Sequence, residues 1–169
     1  MTRPGHPVHQ VLLDAVGLRS GMTVVDLGCG EGETLGAAAT RARMNLVGLE
    51  ADHRKLEAAA ARLRGVDARL LIQTDLDGPC PLRDASVDAL LSHNVLEYLQ
   101  DPAGSIEEAG RVLVPGGTAI WSHVDFAGIL DLSLADLDAW LADLEAADAA
   151  GEFFIAEPNV VVTSHKPTA

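Results

Sequence analysis

The sequence predicts a single α/β domain built on a mostly parallel β-sheet with helices on both faces. Strand-like and helix-like segments alternate along the chain, and the predicted strands are short apolar runs. Strands that are apolar on both faces belong to parallel sheets whose two faces are covered by helices. With 169 residues, of which 48% are hydrophobic, the chain is long enough to form one such domain.

The first predicted strand leads into the stretch around which the chain is organised, Val24-Val25-Asp26-Leu27-Gly28-Cys29-Gly30-Glu31-Gly32. A short apolar run ends in an acid and is followed by three alternate glycines and a helix that starts at Glu33. Glycine tolerates positive φ and has no Cβ, so a ligand can approach the backbone closely. The start of the helix offers backbone N–H groups and a positive dipole end. This order predicts a small-molecule site.

The other elements follow from apolar periodicity and from cap residues. Residues 6–19 predict a short helix whose buried stripe contains Val8, Val11, Leu12, Ala15 and Val16. Further strands are predicted at 45–50, 68–73, 86–92 and 118–123, and helices at 52–64, 101–114 and from Ser133. Residues 152–156 and 159–164 predict two strands joined by a short link, which favours an antiparallel hairpin.

The net charge excludes several classes of partner. The chain carries 25 acidic and 12 basic residues, a net charge of −13. Proteins that bind nucleic acids need a basic surface, so we expect neither nucleic acid nor an anionic membrane as a partner. No apolar run approaches the ~20 residues that span a bilayer, and no signal peptide is evident, so a cytoplasmic protein is expected. Cys29 and Cys80 lack metal-ligand spacing, and no metal is predicted.

Polar residues follow five successive predicted strands, where ligands bind in sheets of this class. They are Asp26 with the glycines, Glu50, Asp75, His93 with Asn94, and His123 with Asp125. A glycine turn with an acid ~20 residues later also fits a dinucleotide site, so a nucleotide-dependent oxidoreductase is one alternative. The spacing Gly28-x-Gly30-x-Gly32 and the carboxylate of Asp26, which would repel a pyrophosphate, favour a cationic adenosyl ligand instead.

These segments resemble class I S-adenosylmethionine-dependent methyltransferases, most closely the small-molecule branch of ubiquinone and menaquinone biosynthesis. The stretch from Val24 to Gly32 is similar to the first motif of that family. Two further segments are similar to its later motifs: Ser92-His93-Asn94-Val95-Leu96-Glu97-Tyr98-Leu99, and Arg111-Val112-Leu113-Val114-Pro115-Gly116-Gly117. The resemblance covers roughly residues 20–125, and a set of motifs is far more specific than a lone glycine motif.

The resemblance implies a Rossmann-like methyltransferase fold with strand order 3-2-1-4-5-7-6 and an antiparallel last strand. It implies S-adenosylmethionine as the cofactor, S-adenosylhomocysteine as its product and methyl transfer to a small organic acceptor. In this family the acid at Glu50 holds the ribose hydroxyls, and the pair at Asp75 and Leu76 contacts adenine. The cofactor-binding set is then Asp26, Gly28, Cys29, Gly30, Gly32, Glu50, Ala51, Asp75, Leu76, His93 and Asn94.

Methyl transfer requires alignment of the acceptor with the methyl group and, for some acceptors, removal of a proton. The available bases are His93 and His123, with Asp125 placed to orient one of them. Two alternatives remain open: these histidines only line the pocket, or Asn94 and the backbone of His93 hold the methionine ammonium. We interpret His6, His9, His53 and His165 as surface residues.

The predicted domain spans 1–169 and has three parts: an N-terminal helix at 1–19, a cofactor-binding core at 20–125 and a C-terminal helix and hairpin at 126–169. Family members usually carry an N-terminal lid or a long insert near strand five. Only Phe126–Asp131 separate strand five from its helix here. We therefore expect an acceptor pocket that is open or is completed by a second chain, as in a homodimer. A non-catalytic S-adenosylmethionine-binding or scaffold subunit is the alternative function.

Overall fold

The structure is a computed structural model, and it describes residues 7–124 and 159–168. Backbone contacts group the chain into two compact units, Met1–His123 with Val161–Ala169, and Val124–Val160. The first unit contains the described site residues. The prediction of a single domain over the whole chain stays a prediction.

Six strands and four α-helices form the described part of the chain. The strands are β1 Thr23–Leu27, β2 Asn45–Glu50, β3 Arg69–Gln73, β4 Val87–His93, β5 Leu113–Val124 and β6 Asn159–His165. The helices are α1 Pro7–Val16, α2 Glu33–Ala39, α3 His53–Arg62 and α4 Pro102–Val112, with a 3₁₀ turn at Leu96–Tyr98. The strands make one sheet in the order β3-β2-β1-β4-β5-β6, and the pairs from β3 to β5 are parallel. The predicted α/β fold is confirmed.

The last strand, β6, runs antiparallel beside β5. The Gly116 N–H donates to the Lys166 carbonyl at 2.9 Å, and the Lys166 N–H donates to the Gly117 carbonyl at 3.0 Å. This strand takes the position beside strand five that the family's order assigns to strand seven. The predicted strand at 152–156, the helix from Ser133 and the segment 126–131 lie outside the described residues.

The junction of α4 and β5 differs from its prediction. The sequence pattern predicts a helix to residue 114 and a strand only from 118, whereas β5 already begins at Leu113. Its pairing with β4 jumps from Leu113 to Thr118, so the intervening residues form a bulge. A Cβ on Gly117 would lie 2.9 Å from the Val114 carbonyl oxygen. The glycine therefore permits the close approach that turns the bulge back into the sheet.

Helices cover both faces of the sheet. On one face, α1, α2 and α3 pack through Leu12, Leu13, Leu35, Leu56 and Leu63 against Val24, Leu46, Leu91 and Ile120. On the other face, α4 packs through Ala109 and Val112 against Val25, Val47, Leu90 and Trp121. Strand β3 is the exception to the prediction of burial on both faces, because it forms an edge of the sheet and Leu70 is 52% exposed.

The buried face of α1 is shifted from the predicted stripe. Val8 and Leu12 are buried as predicted, whereas Val11 is 52% exposed and His9 and Leu13 are buried instead. At about 100° per residue, the buried face is rotated by roughly 60° from the predicted stripe. The rotation brings a histidine into the interior. Within the described ranges, no helix is long and apolar enough to cross a membrane.

Candidate cofactor-binding site

The turn between β1 and α2 is held by glycines in the left-handed region. Gly28, Gly30 and Gly32 have φ values of 75°, 50° and 78°, a conformation that only glycine adopts without strain. A Cβ on Gly28 would overlap the side chain of Val95, and one on Gly32 would lie 3.1 Å from the Ala59 Cβ. A Cβ on Gly30 would meet no atom within 4 Å. The backbone is therefore open to a ligand at Gly30.

The N–H groups of this turn are used inside the protein. Those of Gly28 and Cys29 donate to the Leu49 carbonyl at 2.8 and 3.0 Å. The Gly32 N–H donates to the Cys29 carbonyl at 2.8 Å, and the Gly30 N–H donates to Glu50. These four N–H groups are therefore already used, and the expectation of N–H groups for a ligand at the start of α2 stays a prediction. The turn provides close approach, not the row of donors that a pyrophosphate needs.

Glu50 stands at the carboxyl end of β2 and is only 7% exposed. Its Oε2 accepts the hydrogen bond from the Gly30 N–H at 2.9 Å. Its Oε1 accepts from the N–H groups of Ala51 and Asp52, both at 3.0 Å. A carboxylate has about four acceptor positions, so Glu50 can also accept from hydroxyl groups. Its contact with a ribose stays a prediction.

Asp26 is the next-to-last residue of β1, just before the glycine turn, and is 3% exposed. The pKa of Asp26 is raised from 3.8 to about 7, with burial as the largest cause. A hydrogen bond from Thr34 opposes the rise, and the charge of Glu50 adds to it. A neighbouring positive charge would favour the ionised form of this carboxyl. The site therefore places two buried carboxyl groups, Asp26 and Glu50, near the ends of the neighbouring strands β1 and β2.

The structure places beside the site a residue, His9, that the sequence analysis assigned to the surface. His9 of α1 is 7% exposed, and its Nδ1 lies 2.8 Å from the Thr34 Oγ1. Its Nε2 lies 3.3 Å from Glu33 Oε2, and its ring packs edge-on against His93 with centroids 5.1 Å apart. The signal available in the sequence was the helical spacing of His9 with the buried Leu12 and Leu13.

The carboxyl end of β4 carries His93 and Asn94. His93 Nδ1 lies 2.7 Å from Ser122 Oγ, and the Asn94 N–H donates to the Ser122 carbonyl at 2.8 Å. Asn94 has a φ of 52°, which is unusual for a residue other than glycine. Within the described part of the chain, Asn94 Oδ1 and Ser92 Oγ are buried without a hydrogen-bond partner. Unsatisfied buried polar atoms are rare, and those of Asn94 and Ser92 stand beside the site.

The predicted adenine contacts lie after β3. Asp75 and Leu76 line a cleft together with Leu27 and Leu49. Asp75 is exposed, and its Oδ1 accepts from the Asp77 N–H at 3.1 Å. This arrangement brings the two residues next to the ends of β1 and β2, and their contact with adenine stays a prediction.

Three of the predicted site residues have a restricted role or are not described. The Cys29 side chain is buried in the core, which raises the pKa of its thiol to about 12, so only its backbone can meet a ligand. The position of the His123 side chain and all of Asp125 lie outside the described part of the structure. No cluster of three His, Cys, Asp or Glu side chains suited to a metal occurs in that part.

Comparison with known proteins identifies the family. The model of the methyltransferase domain matches residues 25–121. The chain belongs to this family. The matched segment begins in β1 and ends in β5, so it contains the first four strand ends considered above, whereas His123 and Asp125 lie just beyond it.

Relatives of this methyltransferase domain agree with that assignment. An uncharacterized methyltransferase of Mycobacterium sp. (strain KMS) is 38% identical over 76% of this chain and 49% of its own length. A protein of Mycolicibacterium smegmatis, named a probable S-adenosylmethionine-dependent methyltransferase, is 36% identical over 68% of this chain and 43% of its own length. This chain therefore spans about half the length of the curated relatives it matches. The name of the second relative gives S-adenosylmethionine as the cofactor of that protein.

Among solved structures, the domain is similar to a chain of the complex between the Haloferax volcanii Trm112 methyltransferase activator and a methyltransferase. The two are 31% identical, with a TM-score of 0.63, over 68% of this chain and 50% of the other. The site residues also fit S-adenosylmethionine on their own chemistry. Gly30 leaves open space, Glu50 and Asp26 supply carboxyl groups, and Asn94 presents an unsatisfied acceptor.

Proposed function

We propose that this chain transfers a methyl group from S-adenosylmethionine to a small organic acceptor by in-line displacement. The observation that carries the proposal is the pair of buried carboxyl groups, Asp26 and Glu50, near the ends of β1 and β2, together with the open backbone at Gly30. A cationic ligand with vicinal hydroxyl groups fits this combination, whereas a pyrophosphate would face like charge and few donors.

When bound, the cofactor supplies an electrophilic methyl group on a sulfonium. The residues of the chain orient it: Glu50 accepts from the ribose hydroxyls, and Asn94 Oδ1 accepts from the ammonium. Asp26 lowers the energy of the positive charge in the site by Coulomb attraction. Positioning of this kind supplies a large part of the rate of a displacement reaction.

For acceptors that lose a proton, His93 is the proposed base. With the Nδ1 proton directed at Ser122 Oγ, 2.7 Å away, the basic nitrogen is Nε2. His123, oriented by Asp125, is the second candidate on sequence grounds. A small acceptor is proposed because the net charge of −13 opposes binding to nucleic acid.

Titration calorimetry with S-adenosylmethionine, S-adenosylhomocysteine and NAD tests the cofactor. We expect S-adenosylmethionine and S-adenosylhomocysteine to bind. Glu50→Ala is the matched control and should bind both more weakly. Binding of NAD alone would contradict the proposal. Transfer of labelled methyl groups to a metabolite panel, with RNA and DNA as separate acceptors, then tests the acceptor class.

A second candidate is a subunit that binds S-adenosylmethionine and completes the site of a partner. The 31% identical protein was solved together with a methyltransferase activator, which favours this alternative for the present chain. Cofactor binding without turnover on any acceptor, combined with activity restored by a co-purifying protein, would support it. Turnover by the isolated chain would exclude it.

A further inference from the structure

We propose that His9 and Thr34 form a proton-sharing chain that allows Asp26 to ionise when S-adenosylmethionine binds. His9 and Thr34 are then positioning residues for the cofactor, since they act through Asp26. The inference rests on the proposed cofactor site, and it adds a function for the N-terminal helix α1.

The geometry places the groups in sequence within the protein interior. A hydrogen bond from Thr34 lowers the pKa of the Asp26 carboxyl, and the Thr34 Oγ1 lies 2.8 Å from His9 Nδ1. On the far side of the ring, His9 Nε2 lies 3.3 Å from Glu33 Oε2. Asp26, Thr34 and His9 are all less than 10% exposed, so bulk water is a poor partner for protons exchanged among them.

Two arrangements of the same protons satisfy this chain. In the first, the protonated Asp26 donates to Thr34 Oγ1, the Thr34 hydroxyl donates to His9 Nδ1, and His9 is neutral with its proton on Nε2. In the second, the Asp26 proton has moved to Thr34 Oγ1 and the former Thr34 proton has moved to His9 Nδ1. Asp26 is then a carboxylate, and His9 is an imidazolium facing Glu33.

The surrounding charges decide between these arrangements. Without ligand, Glu50 on β2 repels the charge of Asp26, and burial also favours the neutral carboxyl. The neighbouring Cys29 thiol stays protonated. Glu33 stabilises the imidazolium of His9, while the His93 ring from β4 packs against it. A cation bound beside Asp26 favours the second arrangement, with no proton released to the solvent.

Thr34→Val tests the chain because it keeps the buried shape and removes the hydroxyl. Calorimetric titration with S-adenosylmethionine is carried out from pH 8 to pH 6 in two buffers of different ionisation enthalpy. In Thr34→Val, Asp26 has to release its proton to the solvent. Affinity then falls about tenfold per pH unit below the pKa of Asp26, with about one proton released per ligand. In wild type and in Thr34→Ser, the affinity for S-adenosylmethionine should be nearly independent of pH, and no proton should be released on binding.

His9→Asn provides an independent test, since it retains a polar group near the Nδ1 position but cannot accept the proton. We expect the same pH-dependent affinity and proton release as in Thr34→Val. Circular dichroism identifies any variant that fails to fold. Proton release by the wild type, or flat profiles in both Thr34→Val and His9→Asn, would overturn the inference while leaving cofactor binding intact. A wild-type chain that binds no S-adenosylmethionine would contradict the proposed function itself.

Discussion

The Glu50 carboxylate accepts a hydrogen bond from the Gly30 N–H at 2.9 Å, across twenty residues of sequence. The bond joins the end of β2 to the turn after β1, two strands that are neighbours in the sheet. Through this bond one carboxylate both fixes the glycine turn and stands beside the open backbone. Substitutions of Glu50 are therefore expected to change stability as well as binding.

Glu50→Ala is expected to weaken S-adenosylmethionine binding by about 1–3 kcal/mol, because charged hydrogen bonds to the ribose are lost. It also leaves the N–H groups of Gly30, Ala51 and Asp52 without their acceptor, so the thermal midpoint should fall. Glu50→Gln retains one acceptor oxygen and is the matched control, with a smaller loss of stability. Calorimetry and thermal unfolding measure both effects. Unchanged affinity in Glu50→Ala would mean that the ribose site is elsewhere.

Gly28→Ala and Gly30→Ala should separate folding from binding. Both place a Cβ in the left-handed region, at a cost of about 1–2 kcal/mol. At Gly28 the Cβ also overlaps Val95, which adds about 1–3 kcal/mol. At Gly30 the Cβ enters open space where the ligand is expected, so the variant should fold and lose affinity. Equal stability of the two variants in urea unfolding would contradict the packing at Val95.

The stability of the protein should depend on pH through Asp26. The pKa of Asp26 is about 7 in the folded state against an ordinary 3.8, so the folded protein binds a proton that the unfolded chain does not. Its contribution to the free energy of unfolding is largest below pH 3.8 and is lost as pH rises through 7. Between these values the slope approaches ~1.4 kcal/mol per pH unit.

Asp26→Asn isolates this contribution because it removes the titration and keeps the side-chain size. Urea unfolding at pH 5 and pH 8 should show wild type gaining stability relative to Asp26→Asn as the pH falls. A constant difference between the two proteins would show that Asp26 has an ordinary pKa in the folded state.

His93→Ala should lower the rate of methyl transfer without changing cofactor affinity, if His93 is the base. Ser122→Ala removes the partner 2.7 Å from His93 Nδ1 and should lower the rate less, since the ring keeps its packing against His9. His123→Ala is the parallel test for the second candidate. Single-turnover kinetics with an acceptor from the panel measure all three, and an unaltered rate removes a residue from the mechanism.

Much of the fold and of the cofactor site could be predicted from the sequence. Apolar runs between turn residues located the strands, and Asp52 and Asp101 marked helix starts that the structure confirms as caps. The grouping of Asp26, Glu50 and His93 followed from one rule: parallel strands end at the same edge of a sheet. Local patterns of this kind depend on residues close together in the chain.

The tertiary structure decided which side chains come into contact and which hydrogen-bonding groups already have a partner within the protein. His9 was assigned to the surface because a histidine does not count in an apolar pattern, and only packing against α2 and β4 buries it. Likewise, the Leu49 carbonyl and the Glu50 carboxylate, which belong to the neighbouring strand β2, accept hydrogen bonds from N–H groups of the glycine turn. The sequence by itself determined the glycine turn and the acids around it. Contacts between distant segments decided that the turn offers space and that Asp26 shares its proton network with the first helix.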